Sequence, residues 1–317
     1  MIEENKDFFY YYKQYFGGTE YMARYFHENV AQHVPNLKKY LCLILPGETD
    51  RKYYSLILQE KEIILWLHNT IDQFADGMYV LLTDKRFLNK IKYIVVVSEY
   101  HKEDVIKRTG IDPEKVIVIY NAIKPIKNDL SRFDNVDIPQ IIYTSSPEKG
   151  LKVVLRALHE SNLNFRLNIF NEMVPDLLEL DDYSKKIIND PRFFFYGKTP
   201  HKTVLDYVSK SHIFIHPSTM HETFCISLVE GLSANCLCVY SNTGSLNEVS
   251  NKFGMPYDIE NEKDIEKHIE IFSNKITTAI EIIKNNKFNP GTQASFVNNK
   301  FSWEVFTNSW IELNKLV

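Results

Sequence analysis

The chain has 317 residues, enough for two domains of ordinary size. Its 44% hydrophobic and 25% charged content is that of a soluble globular protein, which excludes a disordered or fibrous chain. A net charge of −4 gives no overall positive field, so no nucleic-acid partner is expected.

The opening stretch MIEENKDFFYYYKQYF carries early acids and no small-residue cleavage site, so it does not read as a signal peptide. No apolar run approaches the length of a membrane span. The expectation is a cytoplasmic protein with peripheral membrane contact at most. Phe8, Phe9 and Tyr10 to Tyr12 suggest a short aromatic first strand. Tyr11, Tyr12, Tyr15 and Phe16 offer stacking faces for a ligand, although core packing is the simpler explanation. Gly17-Gly18-Thr19-Glu20 then precedes a helix-like run, YMARYFHENV. A Gly-Gly turn at a helix start lets backbone approach a ligand closely.

Strands are expected at Leu41–Leu45, Ile63–Leu67, Tyr93–Val97 and Val116–Ile119. A second set is expected at Ile141–Thr144, Phe165–Phe170, Phe193–Tyr196, Ile213–Ile215 and Cys236–Tyr240. Most are apolar at successive positions, as strands covered on both faces are. Each half therefore reads as a parallel sheet with helices on both sides, an α/β fold of two doubly wound domains. Residues 1–124 form the first domain, 125–140 a polar, proline-bounded linker and 141–300 the second domain. Between strands, Leu151, Val154, Leu155 and Leu158 fall on one helical face. Thr199 reads as an N-cap with Pro200 at the first helical position. His68 and Asn69 stand at a strand's carboxyl end, and Ser98, His101 and Asn121 at similar ends. Ligands bind at such ends in this class of sheet, so two facing domains imply a cleft there.

The four cysteines, Cys42, Cys225, Cys236 and Cys238, form no Cys-x-x-Cys pair. This suggests a reducing compartment and gives no zinc signal. Cys42, Cys236 and Cys238 fall in expected strands and read as buried thiols. Asp181-Asp182 lies in a polar segment and reads as a solvated turn, so no metal clamp is expected.

The most informative stretch is FIHPSTMHETFCISLVEGLSANCLCVYSNTGSLNEV, from Phe214. A buried strand is followed by a polar turn, Glu222, a helix through Glu230, and a second apolar strand. The reading puts Glu222 at the loop-to-helix junction and Glu230 about two turns into the helix. A helix starting just past a strand end offers unpaired backbone N–H groups and a positive dipole end, which suits a diphosphate.

This arrangement resembles the retaining glycosyltransferases of family 4, which have the GT-B fold. Their signature is a Glu, seven residues and a second Glu, after a strand ending in Pro-Ser; here these are Glu222, Glu230 and Pro217-Ser218. The family's Lys-Gly after the first strand of the second domain is Lys149-Gly150. The resemblance implies that Lys149 and the helix start, Thr223, Phe224, Cys225 and Ile226, bind the donor diphosphate. It implies that Glu222 holds the donor sugar, Glu230 the ribose, and that His68 faces the sugar. Gly197 and Lys198 would lie near the nucleotide base, and Gly17 and Gly18 would line the cleft. A C-terminal helix, about 301–317 here, would pack back onto the first domain.

Three departures stand out. The arginine that usually precedes the lysine by five positions is Thr144, so Ser145, Ser146 and backbone N–H groups substitute, or Lys198 or Arg24 does. Glu-Gly-Phe-Gly is Glu222-Thr223-Phe224-Cys225. Asn235 replaces a further glycine, and Asn tolerates left-handed geometry. Gly244 and Glu248 match a glycine turn before a helix, where capping explains the acid equally well.

The expected activity is metal-independent, retaining transfer from a UDP- or GDP-sugar to a glycan, lipid-linked or small-molecule acceptor, with no cofactor beyond the donor. The alternatives are an epimerase or phosphorylase on the same fold and a non-catalytic nucleotide-sugar-binding subunit.

Overall fold

The computed structural model describes residues 17–39, 41–44, 62–71, 82–127, 129–171, 186–259, 261 and 263–317, with backbone alone for 38, 39 and 41–44. The aromatic residues before Gly17, the Cys42 side chain and Asp181-Asp182 lie outside the described residues. Two compact units form. The first is Met1–Ala122, Glu222–Phe224 and Phe301–Val317; the second is Ile123–His221 and Cys225–Lys300.

Strands β1 (Leu41–Ile44), β2 (Ile63–Leu67), β3 (Ile91–Val96) and β4 (Val116–Val118) pair in that order, all parallel. Strands β5 (Gln140–Tyr143), β6 (Arg166–Ile169), β7 (Phe193–Phe195), β8 (Ile213–His216), β9 (Leu237–Ser241) and β10 (Met255–Tyr257) form the second sheet. Helices α1 (Gly18–Tyr25), α2 (Lys85–Leu88) and α3 (Glu99–Thr109) belong to the first unit. Helices α4 (Leu151–His159), α5 (His201–Val208), α6 (Ile226–Ser233), α7 (Leu246–Ser250), α8 (Ile265–Lys284) and α9 (Gln293–Lys300) belong to the second, and α10 (Trp303–Lys315) to the first.

In the first unit every residue of β2 is buried, the mark of a strand covered on both faces. Ile63, Leu65 and Leu67 pack with Ile94 and Val96 in its core. The α10 helix starts where Ser302 Oγ accepts from the Val305 N–H at 3.2 Å. Its Trp303 stacks on Tyr25 at 3.5 Å between ring centres, and Trp310 meets Phe26 and Trp66 edge-on at 4.8 and 4.9 Å. Each such pair adds roughly 0.5–1.5 kcal/mol beyond its buried area.

The second sheet runs β10-β9-β8-β5-β6-β7 and is parallel throughout. The chain steps outward from β5 in one direction, then returns beside it at β8 and steps outward in the other. The strand order therefore reverses between β5 and β8, where a doubly wound sheet opens a crevice at its carboxyl edge. Leu151, Val153, Val154, Leu155 and Leu158 of α4 are buried on this sheet, each stabilising by roughly 1.5–3 kcal/mol relative to exposure. Ile269, Phe272, Ile276, Ile280 and Ile283 of α8 continue the same core.

Three details differ from the sequence reading. Strand β10 was not expected; it is three residues long, contains Pro256 and lies at the sheet edge, where a missing N–H is tolerated. Pro200, not Thr199, is the N-cap of α5, and the Thr199 hydroxyl instead donates to the Tyr196 and Gly197 carbonyls. The polar stretch 125–140 is bound to the second unit. Phe133 enters the core, Arg132 donates to the Ser211 carbonyl at 3.1 Å, and His212 Nε2 donates to the Arg132 carbonyl at 2.8 Å.

Candidate functional site

The switch point between β5 and β8 assembles most of the expected residues of the second unit. Past β5 the loop tightens: Tyr143 OH donates to the Ser146 carbonyl at 2.7 Å, and the Lys149 N–H donates to the same oxygen at 3.0 Å. Gly150 then starts α4 at φ +94°, and a Cβ there would stand 2.0 Å from the Pro217 carbonyl oxygen. The amino end of α4 is thus pressed against the residue that follows β8. Lys149 and Pro217-Ser218 are brought together by a contact that only glycine permits.

Past β8, Ser218 Oγ accepts from the Met220 N–H at 3.1 Å, and Ser241 Oγ on β9 donates to the Ser218 carbonyl. Helix α6 begins at Ile226 with Cys225 as N-cap, in the left-handed region at φ +67°. Among the described residues no side chain caps α6 or α4, nor α1, α5 or α7, whereas Ser98, Asp264 and Ser302 cap α3, α8 and α10. Two helix amino ends with uncapped N–H groups therefore follow the two strands that flank the switch point, an anion-binding arrangement. Gly231 lets α6 lie close on β8, since a Cβ there would come within 2.7 Å of the Phe214 ring.

Glu230 is the fifth residue of α6, little more than one turn in rather than two, because the helix starts four residues after Glu222. Its carboxylate is buried and bonded to His201 Nε2 at 2.8 Å. Burial opposes protonation of His201, but the hydrogen bond and charge of Glu230 prevail and raise its pKa above the ordinary 6.5. His201 opens α5, directly after the Gly197-Lys198 loop, so that loop leads to Glu230. Gly197 faces open space and Lys198 is exposed. Sequence reading missed His201; its place after that loop was the one available signal. Ser145 Oγ lies 2.9 Å from His216 Nδ1, whereas Ser146 contributes its carbonyl to the turn.

Glu222, Thr223 and Phe224 group with the first unit. The Thr223 hydroxyl donates to the His68 carbonyl at 2.6 Å, and the Phe224 ring meets Phe301 edge-on at 5.1 Å. Glu222 is therefore carried by a segment anchored on the carboxyl end of β2. His68 is buried, and its Nε2 has no hydrogen-bond partner among the described residues. Burial, then the proximity of His101, pushes its pKa down to about 3, so the ring is neutral and offers one hydrogen bond. Ser98 and His101 are corrected to structural roles. The Ser98 hydroxyl caps α3 by accepting the His101 N–H at 3.0 Å, and His101 Nε2 donates to the Asn69 carbonyl at 2.9 Å. Asn121 is buried, and its Oδ1 has no hydrogen-bond partner among the described residues. Gly17 and Gly18 start α1, where the Glu20 carboxylate folds back on Gly17. Arg24 is paired with Glu28, four residues further along the chain, at 2.9 Å, which argues against it as the replacement cation.

Residues 136–288 match the family described as glycosyl transferases group 1, and residues 55–126 match glycosyltransferase family 4. The chain belongs to the family 4 glycosyltransferases. It is similar to a subunit of the Homo sapiens phosphatidylinositol N-acetylglucosaminyltransferase, with 28% identity over 190 residues, 56% of this chain and 37% of that protein. The chain thus spans well under half the length of that relative. Among solved structures, a glycosyltransferase from Rickettsia africae ESF-5 matches with TM-score 0.66 and 17% identity, over 96% of this chain and 83% of its own. Anabaena HepE in complex with UDP-glucose matches with TM-score 0.62 and 15% identity, over 91% of this chain and 82% of its own. Those likenesses concern the fold, which is GT-B, with two Rossmann-like parallel-sheet units. No helix among the described residues is long and apolar enough to cross a membrane.

Proposed function

We propose that this glycosyltransferase moves a sugar from a UDP-sugar to an acceptor hydroxyl, with retention and without a metal. The observation that carries the proposal is the β5/β8 switch point, with its two uncapped helix starts, the adjoining Lys149 and the buried Glu230. The diphosphate takes the amino ends of α4 and α6, with the Lys149 ammonium as its counter-charge. Glu230 accepts from the ribose, Glu222 holds the sugar hydroxyls, and neutral His68 gives one hydrogen bond to the sugar. The acceptor enters on the face the diphosphate leaves, and a phosphate oxygen takes its proton. The name of the human relative makes UDP-N-acetylglucosamine and an inositol phospholipid the first donor and acceptor to test, and its description as one subunit of a transferase makes partner chains part of the proposal. A cytoplasmic location belongs to the same reading.

Thr144, standing where the resembled family has arginine, motivates a second reading: a subunit that binds the donor without turnover. The deciding measurement is release of UDP and of labelled glycoside from a panel of UDP-sugars, with and without lipid acceptors. Transfer by the wild type, reduced about 10²–10³-fold in Lys149→Ala and Glu222→Ala, supports transfer. UDP-sugar binding with no product across the panel favours the binding subunit. An epimer or a sugar phosphate as product would replace the transferase reading with the corresponding activity.

A further inference from the structure

We propose that Cys225 and His216 form a binding site for zinc. Their ligand atoms are set for it: Cys225 Sγ stands 3.6 Å from His216 Nε2. A tetrahedral zinc, with Zn–S about 2.3 Å and Zn–N about 2.0–2.1 Å, holds sulfur and nitrogen about 3.5–3.6 Å apart. The histidine is oriented for ligation. It ends β8, is fully buried, and has Nδ1 2.9 Å from Ser145 Oγ. A ring that donates from Nδ1 to that hydroxyl turns the Nε2 lone pair toward the sulfur, the outer-shell bond that metal-binding histidines use. Cys225 is half-buried and reachable from solvent, with Ser227 Oγ 3.4 Å from its sulfur. Cys236 and Cys238 are fully buried and play no part.

The backbone supports a special place for this sulfur. Cys225 is held at φ +67°, a region that costs an ordinary L-residue roughly 1–2 kcal/mol and glycine almost nothing. The thiol stands at the N-cap of α6, beside the N–H groups assigned above to the diphosphate. Zinc there would occupy the ground of the leaving group; this consequence rests on the proposed function, but the metal site does not.

The test is titration of the untagged full chain with Co²⁺, reading the near-ultraviolet thiolate-to-cobalt absorption, followed by Zn²⁺ competition with a chromophoric chelator. One equivalent is expected to bind. Cys225→Gly, which suits the left-handed backbone and keeps the fold by circular dichroism, abolishes the absorption. Ser145→Ala weakens Zn²⁺ by about 10–100-fold. Absence of the absorption in the wild type, or equal binding in Cys225→Gly, overturns the proposal. Repeating the Zn²⁺ titration with saturating UDP separates the two claims. Displacement supports both. Zn²⁺ binding indifferent to bound UDP leaves the metal site standing and overturns the diphosphate placement. UDP binding by a chain that takes no Zn²⁺ overturns the metal site alone.

Discussion

Gly150→Ala probes the contact on which the switch-point site is built. Two costs add. The first is conformational: alanine at φ +94° loses roughly 1–2 kcal/mol relative to glycine. The second is steric. The new Cβ would stand 2.0 Å from the Pro217 carbonyl oxygen and 2.8 Å from its carbon, both backbone atoms that no side-chain rotation can clear. Either the first turn of α4 or the end of β8 must shift by about 1 Å, at a cost in the overpacking range of roughly 1–3 kcal/mol. Gly291→Ala is the control in the same unit, because Gly291 also has positive φ, +56°, but nothing within 4 Å of the added Cβ. Urea unfolding should therefore show Gly150→Ala destabilised by about 2–5 kcal/mol and Gly291→Ala by about 1–2 kcal/mol. UDP binding by calorimetry should weaken in the first variant only. If the two variants unfold within about 0.5 kcal/mol of each other and bind UDP equally, the close approach of α4 to Pro217 does not position a ligand, and the reasoning fails.

His68 and His101 are buried with pKa values lowered to about 3 and about 4. The unfolded chain takes up their protons below about pH 6.5, so stability should fall from there toward the folded values, by about 2 kcal/mol for each histidine at pH 5. Urea midpoints at pH 7 and pH 5 test this, and a His101→Asn chain that is just as acid-sensitive as the wild type would refute it. His201 has the opposite sign, since its folded pKa is raised. Its stabilising contribution is complete below about pH 6.5 and lost as pH rises through the folded value. His201→Ala should therefore be destabilised at pH 6 by well under 1 kcal/mol, because the ring is partly exposed, and not at all near pH 9; a pH-independent difference would count against the ion pair. Cys225→Gly should raise stability by about 1 kcal/mol by removing left-handed strain, measured as a shift in urea midpoint. Loss of stability instead would show that the sulfur contacts outweigh the strain.

What could be read from the chain alone follows from which interactions are local. Strands such as β2, β8 and β9 were legible because strands buried on both faces are apolar at successive positions, broken here only at the last residues His216 and Ser241. Strand β10 was not, because a three-residue edge strand holding Pro256 carries no such pattern. Lys149, Glu222 and Glu230 were legible by type and spacing, but what each touches is tertiary. The hydrogen bond from His201 to Glu230 joins residues 29 apart through the packing of two helices. Similarly, the Thr223 bond to the His68 carbonyl spans 155 residues, which no local pattern encodes. His101 shows the converse error. A polar residue past a strand end looked available for a ligand, while a nearby carbonyl, that of Asn69, had already engaged it.

The glycine departures bear on whether the site is a working one or a relic. Asn235 and Cys225 both stand at positive φ, +57° and +67°, where the resembled family has glycine. Asparagine adopts that region readily, and cysteine does so against a penalty. In both places the backbone takes the left-handed turn that glycine adopts without penalty. The surrounding contacts explain why: Gly231 against Phe214, Gly150 against Pro217 and Gly254 against the Cys238 carbonyl leave little room for either helix or strand to move. The path of the β8–α6–β9 segment is therefore determined by packing between elements, not by the residue at each turn. A decaying site would be expected to relax at its most strained position first. Retention of the left-handed N-cap at Cys225 instead preserves the direction of the α6 N–H groups, which donor binding requires in the transferase and the binding subunit alike. It also places the change in chemistry at a single sulfur, beside a histidine already oriented by Ser145.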